Sequence, residues 1–173
     1  MKIPFCGIIF DSKEEIDFYK WALELQQSGY ISKIIYHPEP LELSGRAVKT
    51  IEVKLKTKIK EKDKFLLNPH EYTADFILYP NEKFWELGVK LEVSPDGLIY
   101  IDVKGTWNKY ESDTKFSINQ KWVYQKYGIF VNKVIPKKLF KKSFAPNIRH
   151  KKTGAKLKRF ANNKTIEDMK TLI

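Results

Sequence analysis

Apolar and polar positions alternate with two different periods along this chain, and the change of period marks its elements. Residues 10–29, FDSKEEIDFYKWALELQQSG, follow the helical period. At about 100° per residue, with Ile16 at zero, Lys13, Asp17, Lys20, Glu24 and Gln27 fall on one arc. Phe18, Tyr19, Trp21, Ala22, Leu23 and Leu25 fall on the other, and Glu15 lies in the middle of that apolar arc. Ser12 is placed as an N-cap, Glu15 completes an S-x-x-E box, and Gly29 follows the end. The segment YISKIIYHPEPLEL is extended and broken by Pro38 and Pro40. The segment 47–65 alternates strictly, with Val53, Leu55, Thr57 and Ile59 facing one way and Lys54, Lys56, Lys58 and Lys60 the other, as a half-buried strand does. Its lysine face suits an edge strand protected from aggregation, with DNA as the other partner to consider.

The strands YTADFILY and FWELGVKLEV are predicted next, then a tight turn at SPDG and the strand LIYIDVKG. A helix over 114–128 stopped by Gly128 and a short strand over 129–135 ended by Pro136 complete the pattern. Helix, several strands, helix and strand in this order predict an α/β (α+β) domain on a central mixed β-sheet flanked by helices. A core domain over 1–136 and a basic C-terminal arm over 137–173 are expected.

A chain of 173 residues, 42% hydrophobic and 31% charged, is that of one soluble globular domain. Cys6 has no disulfide partner and is read as a small core residue in FCGIIF. No apolar run is long enough to cross a membrane and no signal peptide is evident, so a reducing cytoplasm is the expected location.

Charge changes the picture. The formal net charge is +11, and Thr114–Ile166 holds 15 Lys or Arg and no Asp or Glu. Residues 1–113 hold 16 basic and 19 acidic residues. Such exclusion of acids is the footprint of a polyanion partner. Lys137, Lys138, Lys141, Lys142, Arg149, Lys151, Lys152, Lys156, Lys158 and Arg159 are the candidate phosphate contacts. Phe140, Phe144 and Phe160 among them either stack on bases or, more ordinarily, pin the arm to the domain.

The acids outside that span carry the candidate chemistry. In IYIDVKG, Ile99, Ile101 and Val103 share one face, and Asp102 and Lys104 project from the other, one pleat repeat apart. Asp75, in YTADF, joins them if its strand is the neighbour. Carboxylates of this kind suit Mg²⁺, and an ammonium beside them can hold a water or take its proton. Glu15 is a third acid for the site, or simply the helix cap. His37, His70 and His150 show no metal spacing, and there is neither a Walker loop nor GxGxxG.

Taken in order, FDSKEE, HPEPLEL, YTADF and YIDVKG resemble the PD-(D/E)XK nuclease superfamily, and within it the small phage-encoded endonucleases and Holliday-junction resolvases. The resemblance runs from about Phe10 to Val131, with Ala74 where the superfamily name expects Pro. It implies a restriction-endonuclease-like core and catalytic roles for Glu15, Asp75, Asp102 and Lys104. It implies Mg²⁺, with Mn²⁺ able to substitute, held by Asp75, Asp102, Glu15 and the Val103 carbonyl. It places Gln120 and Lys121 at positions that contact nucleic acid. The implied partner is DNA, branched in particular, and the two-fold symmetry of a junction implies a homodimer. The long spacing between Asp75 and Asp102 suggests an extra hairpin at 80–97. The alternative is a catalytically silent nuclease fold that binds DNA in phage replication or recombination.

Overall fold

The computed structural model describes residues 2–105, 110–146 and 164–170. Two short strands, β1 (Ile3–Phe5) and β2 (Ile8–Phe10), form a hairpin closed by Cys6 and Gly7, both at positive φ (49° and 78°). A two-residue hairpin turn of type I′, whose twist matches its strands, needs positive φ at both central residues. Cys6 is therefore exposed at a turn and is not the core residue expected from its apolar surroundings.

Helix α1 (Lys13–Gln27) begins at Ser12, whose hydroxyl accepts the Glu15 N–H at 3.1 Å, and Gly29 follows it at φ 76°. Phe18, Trp21, Ala22 and Leu25 are buried as the period predicts. Lys20 and Glu24 were expected on the wet arc and are buried too. For Lys20 the reason is the hairpin before the helix: its ammonium lies 4.8 Å from the centre of the Phe5 ring.

The chain then runs through β3 (Ile31–Tyr36), leaves for residues 39–73, and returns at Ala74. The main unit, 1–38 with 74–173, holds a four-stranded sheet ordered β10-β9-β8-β3, with β8 at Phe76–Pro80, β9 at Ile99–Val103 and β10 at Val131–Val134. β3, β8 and β9 pair antiparallel, and β9 and β10 pair parallel through the crossover helix α2 (Tyr110–Tyr127). The sheet is thus mixed and flanked by helices. β9 is buried along its whole length, and Ile99, Ile101 and Val103 join Phe10, Phe18, Trp21, Leu25 and Phe76 in the core. Gly128, at φ 68°, ends α2.

FWELGVKLEV is not a strand. Glu82–Leu87 form a 3₁₀ helix that buries Phe84 and Leu87, three residues apart on one side, and Gly88 ends it at φ 63°. The following segment is held by a side chain. Asn132 accepts from the Glu92 N–H at 2.8 Å and donates to the Glu92 carbonyl at 2.8 Å, as a strand backbone would. The expected hairpin at 80–97 is therefore absent.

The extra hairpin lies in the second unit, residues 39–73. There β4 (Leu41–Ser44) pairs with β7 (His70–Tyr72), and β5 (Ala47–Lys54) with β6 (Ile59–Leu67). The stretch read as one strand folds back at Leu55–Lys58, where the Leu55 N–H donates to the Lys58 carbonyl at 2.8 Å.

Pro136 follows the end of β10, as expected, and has a second role. It opens helix α3 (Pro136–Lys142), where a missing N–H costs nothing. Leu139, Phe140, Phe144 and Ala145 are buried in the core, Trp21 stacks on Phe144 at 5.7 Å, and the Trp21 indole N–H donates to the Ser143 hydroxyl at 3.1 Å. Ile166, in α4 (Ile166–Lys170), is buried in the same core. The boundary placed at residue 136 therefore falls inside the domain, and Phe140 and Phe144 are core residues with no face left for bases. Phe160 lies outside the described residues. Phe144→Ala is expected to cost about 3–5 kcal/mol in urea unfolding. A loss within about 0.5 kcal/mol, as at an open surface, would restore the reading of a loose arm.

Candidate active site

Sheet pairing brings Asp75 and Asp102 together. Phe76 is opposite Ile101, so the antiparallel register carried one step further sets Asp75 opposite Asp102. The Asp75 N–H donates to the Ile101 carbonyl at 2.9 Å, and its carboxylate Oδ2 accepts the Val103 N–H at 2.6 Å. Asp75 thus holds the backbone of the D-x-K segment from the neighbouring strand. Asp102 is buried, and the Lys104 ammonium pairs with its Oδ2. The Lys104 N–H is fixed to the Val134 carbonyl at 2.8 Å, and its Nζ lies 5.4 Å from the centre of the Phe116 ring of α2. The lysine is thereby aimed by two elements besides its own strand.

Glu15 is buried at the start of α1, and its carboxylate is held by three donors. The Ser12 hydroxyl donates to Oε1 at 2.6 Å, and the Tyr36 hydroxyl and the Asp11 N–H donate to Oε2 at 2.8 and 3.1 Å. These bonds use three of about four acceptor positions. The cap role read from the sequence is present, and the side chain lies inward as its place on the apolar arc requires.

Electrostatics tie the four residues into one site. The Asp75 carboxyl is pushed up from 3.8 to about 7. Burial is the largest cause, followed by the charge of Asp102, and Glu15 adds to it; the Val103 N–H and Lys104 act in the opposite direction. Two acids and one ammonium therefore act on a single carboxyl.

The donor set is one of hard oxygens. Among the described residues, no three His, Cys, Asp or Glu side chains form a ready-made metal cage. Mg²⁺ takes one or two carboxylates, with waters and substrate phosphate completing its shell. Asp75 and Asp102 are two such carboxylates, and a divalent cation between them would supply the counter-charge for both to ionise.

Tyr36 carries no signal of its own in the sequence, and His37 stands there only as a histidine without metal spacing. The Tyr36 hydroxyl is kept protonated by burial and by its bond to Glu15. His37, at φ 47°, stacks on Tyr36 with ring centres 3.9 Å apart, donates its N–H to the Asp75 carbonyl at 3.0 Å, and lies 3.8 Å from the Asp11 carboxylate. Only their position just before Pro38 marks them, because nothing local pairs them with Glu15 or Asp75.

The residues expected to touch nucleic acid divide into three groups. Gln120 donates its amide to the Val131 carbonyl at 2.7 Å, which makes it a tie between α2 and β10. Lys121 is exposed, and with Gln120 it lines a groove of about 750 Å³ together with Glu92, Val93, Tyr124 and Phe130. None of Glu15, Asp75, Asp102 and Lys104 lines that groove. Lys137, Lys138, Lys141 and Lys142 are exposed on or beside the buried side chains of α3. Arg149, Lys151, Lys152, Lys156, Lys158 and Arg159 lie outside the described residues.

Comparison with family models, with curated proteins and with solved structures finds no match. No helix among the described residues is long and apolar enough to cross a membrane.

The raised carboxyl has a consequence for stability. Between about pH 4 and pH 7 the folded chain binds the Asp75 proton more tightly than the unfolded chain, so this group's contribution falls as pH rises through that window. Asp75→Asn removes the ionisation and keeps an oxygen for the Val103 N–H. Its melting temperature is expected to match wild type at about pH 4 and to exceed it by several degrees at pH 8. Mg²⁺ at pH 8 is expected to raise the melting temperature of wild type more than that of the variant. Parallel pH profiles for the two proteins would contradict the assignment.

Proposed function

We propose that this chain is a Mg²⁺-dependent DNA endonuclease with a restriction-endonuclease-like core of the PD-(D/E)XK type, selective for branched DNA. The observation that carries the reading is the convergence of Asp75, Asp102 and Lys104 on adjoining strand ends, with Glu15 acting on the same carboxyl. The order of the motifs and the net charge of +11 support a nucleic-acid substrate.

Asp75 and Asp102 would hold the ion, with the Val103 carbonyl as a third oxygen. When bound, Mg²⁺ acidifies water and offsets the charge that builds on phosphorus in the transition state. The chain's own residues do the rest. Lys104, steadied by Asp102 and the Phe116 ring, orients the attacking water and meets negative charge on the phosphate. Asp75 fixes the Val103 backbone and so the direction of both D-x-K side chains. Tyr36 and Ser12 hold Glu15 in place, which keeps a negative charge beside Asp75. A four-way junction has two-fold symmetry and needs two cuts, so the active form is a homodimer.

The test is a cleavage assay with Mg²⁺ on four-way, flap and linear DNA of equal sequence. Cleavage is expected on branched substrates first. Lys104→Ala should lower the rate by about 10²–10⁴-fold, and Asp102→Asn should abolish cutting, while both still bind DNA in EDTA. Wild-type rates in either variant would remove these residues from the chemistry. Binding without cleavage by the wild-type chain, across substrates and with Mn²⁺ as well, would make it a silent nuclease fold.

A further inference from the structure

The β5–β6 hairpin sorts its charges by face. Cross-strand partners in an antiparallel pair share a face, and faces alternate along each strand. The pairs Lys49–Lys64, Ile51–Lys62 and Val53–Lys60 therefore occupy one face. The pairs Thr50–Asp63, Glu52–Glu61 and Lys54–Ile59 occupy the other. The first face carries four exposed lysines and no acid, with Ile51 and Val53 half-buried between them. The second carries Glu52, Glu61 and Asp63 against the single Lys54.

This sorting works against the hairpin's own stability. Lys49 faces Lys64, and Glu52 faces Glu61, and like charges directly opposite each other are destabilising. Protection of an edge from aggregation asks for lysines but not for their segregation, because a lysine blunts an edge from either face. A segregated basic face is favourable only against something negative. Lys60, Lys62 and Lys64 stand in a row at intervals of about 6.8 Å, two strand residues apart. One strand of duplex DNA advances a phosphate about every 3.4 Å along the axis, so the row spans roughly four phosphates. A two-stranded ribbon is also narrow enough to enter a major groove. The face has no Arg, Asn or Gln, the side chains that read base edges in bidentate fashion.

We propose that the face formed by Lys49, Lys60, Lys62 and Lys64 is a docking surface for the phosphate backbone of duplex DNA, engaged without regard to sequence. The proposal rests on the reading of the chain as a DNA-acting protein and adds to it a contact made by the residues 39–73 unit. The duplex is held by point charges, and the acidic face of the same hairpin turns away from it.

The experiment uses the full chain in EDTA, so that metal at the candidate active site contributes nothing. Binding to a fluorescent duplex of mixed sequence is followed by anisotropy over a salt series. Replacing the four lysines by Gln is expected to weaken binding at least tenfold and to lower the slope of log affinity against log salt by about 3–4, since each phosphate contact contributes about 0.9. The four Lys→Arg replacements should keep the slope. Replacing Glu52, Glu61 and Asp63 by their amides should keep it or steepen it. Equal slopes for the wild-type and Gln proteins, both with intact melting transitions, would overturn the proposal, as would an equal loss from the acidic-face variant. The two readings separate cleanly. If the slope falls while wild type leaves branched DNA uncut with Mg²⁺, the surface stands without the nuclease; if wild type cuts and the slopes agree, the nuclease stands without the surface.

Discussion

Burying one carboxylate beside another costs free energy that only a proton or a cation can offset, and the strand ends around Asp75 and Asp102 are arranged under that constraint. Asp75 could have relaxed by turning away. It does not, because its Oδ2 accepts the Val103 N–H and its N–H is committed to the Ile101 carbonyl. Asp102 is held in its turn by Lys104, and Lys104 by the Val134 carbonyl and the Phe116 ring. The hydrogen bonds that join Asp75 to Ile101 and Val103 therefore order this end of the sheet and also keep the acids from separating. The fold stores the repulsion where a divalent cation would relieve it.

The parts of this arrangement that obey local rules were legible in the sequence. The Ser12–Glu15 box depends on a three-residue spacing, and the common face of Asp102 and Lys104 on a two-residue one. Gly128 ends its helix because a left-handed residue suits a glycine. The parts that failed depend on what lies across space. Leu55-Lys56-Thr57-Lys58 continues the alternation of its strand without a Gly, Pro, Asn or Asp, so nothing local marks the turn. The 3₁₀ helix at 82–87 shares its apolar content with a strand. The Asn132 clamp on Glu92 links residues 40 positions apart and leaves no local pattern. Tyr36 reaches Glu15 only because β3 ends beside the start of α1.

Charge was the most informative and the most misleading signal. The part of the acid-free span from residue 137 onward reads in the sequence as a basic arm. In the structure its lysines at 137–142 ride on a helix whose other side chains complete the core around Trp21. Charge there decorates a folded element, as the aromatic residues between the lysines could have suggested. In the residues 39–73 unit the reverse holds. An alternating stretch that looked like one ordinary edge becomes two strands, and the fold gathers lysines onto one face that the linear pattern had distributed differently. Register, not composition, decides which charges act together.

The measurement that bears most directly on the paired carboxylates is calorimetric titration of the chain with Mn²⁺ in buffers of different ionisation enthalpy. With Asp75 titrating at about 7, a cation that binds there must displace its proton from part of the molecules. Near neutral pH the account predicts saturable binding that releases about half a proton per ion, with the release vanishing above about pH 8.5 and absent in Asp75→Asn. Binding without any linked proton, or no saturable binding at all, would contradict it.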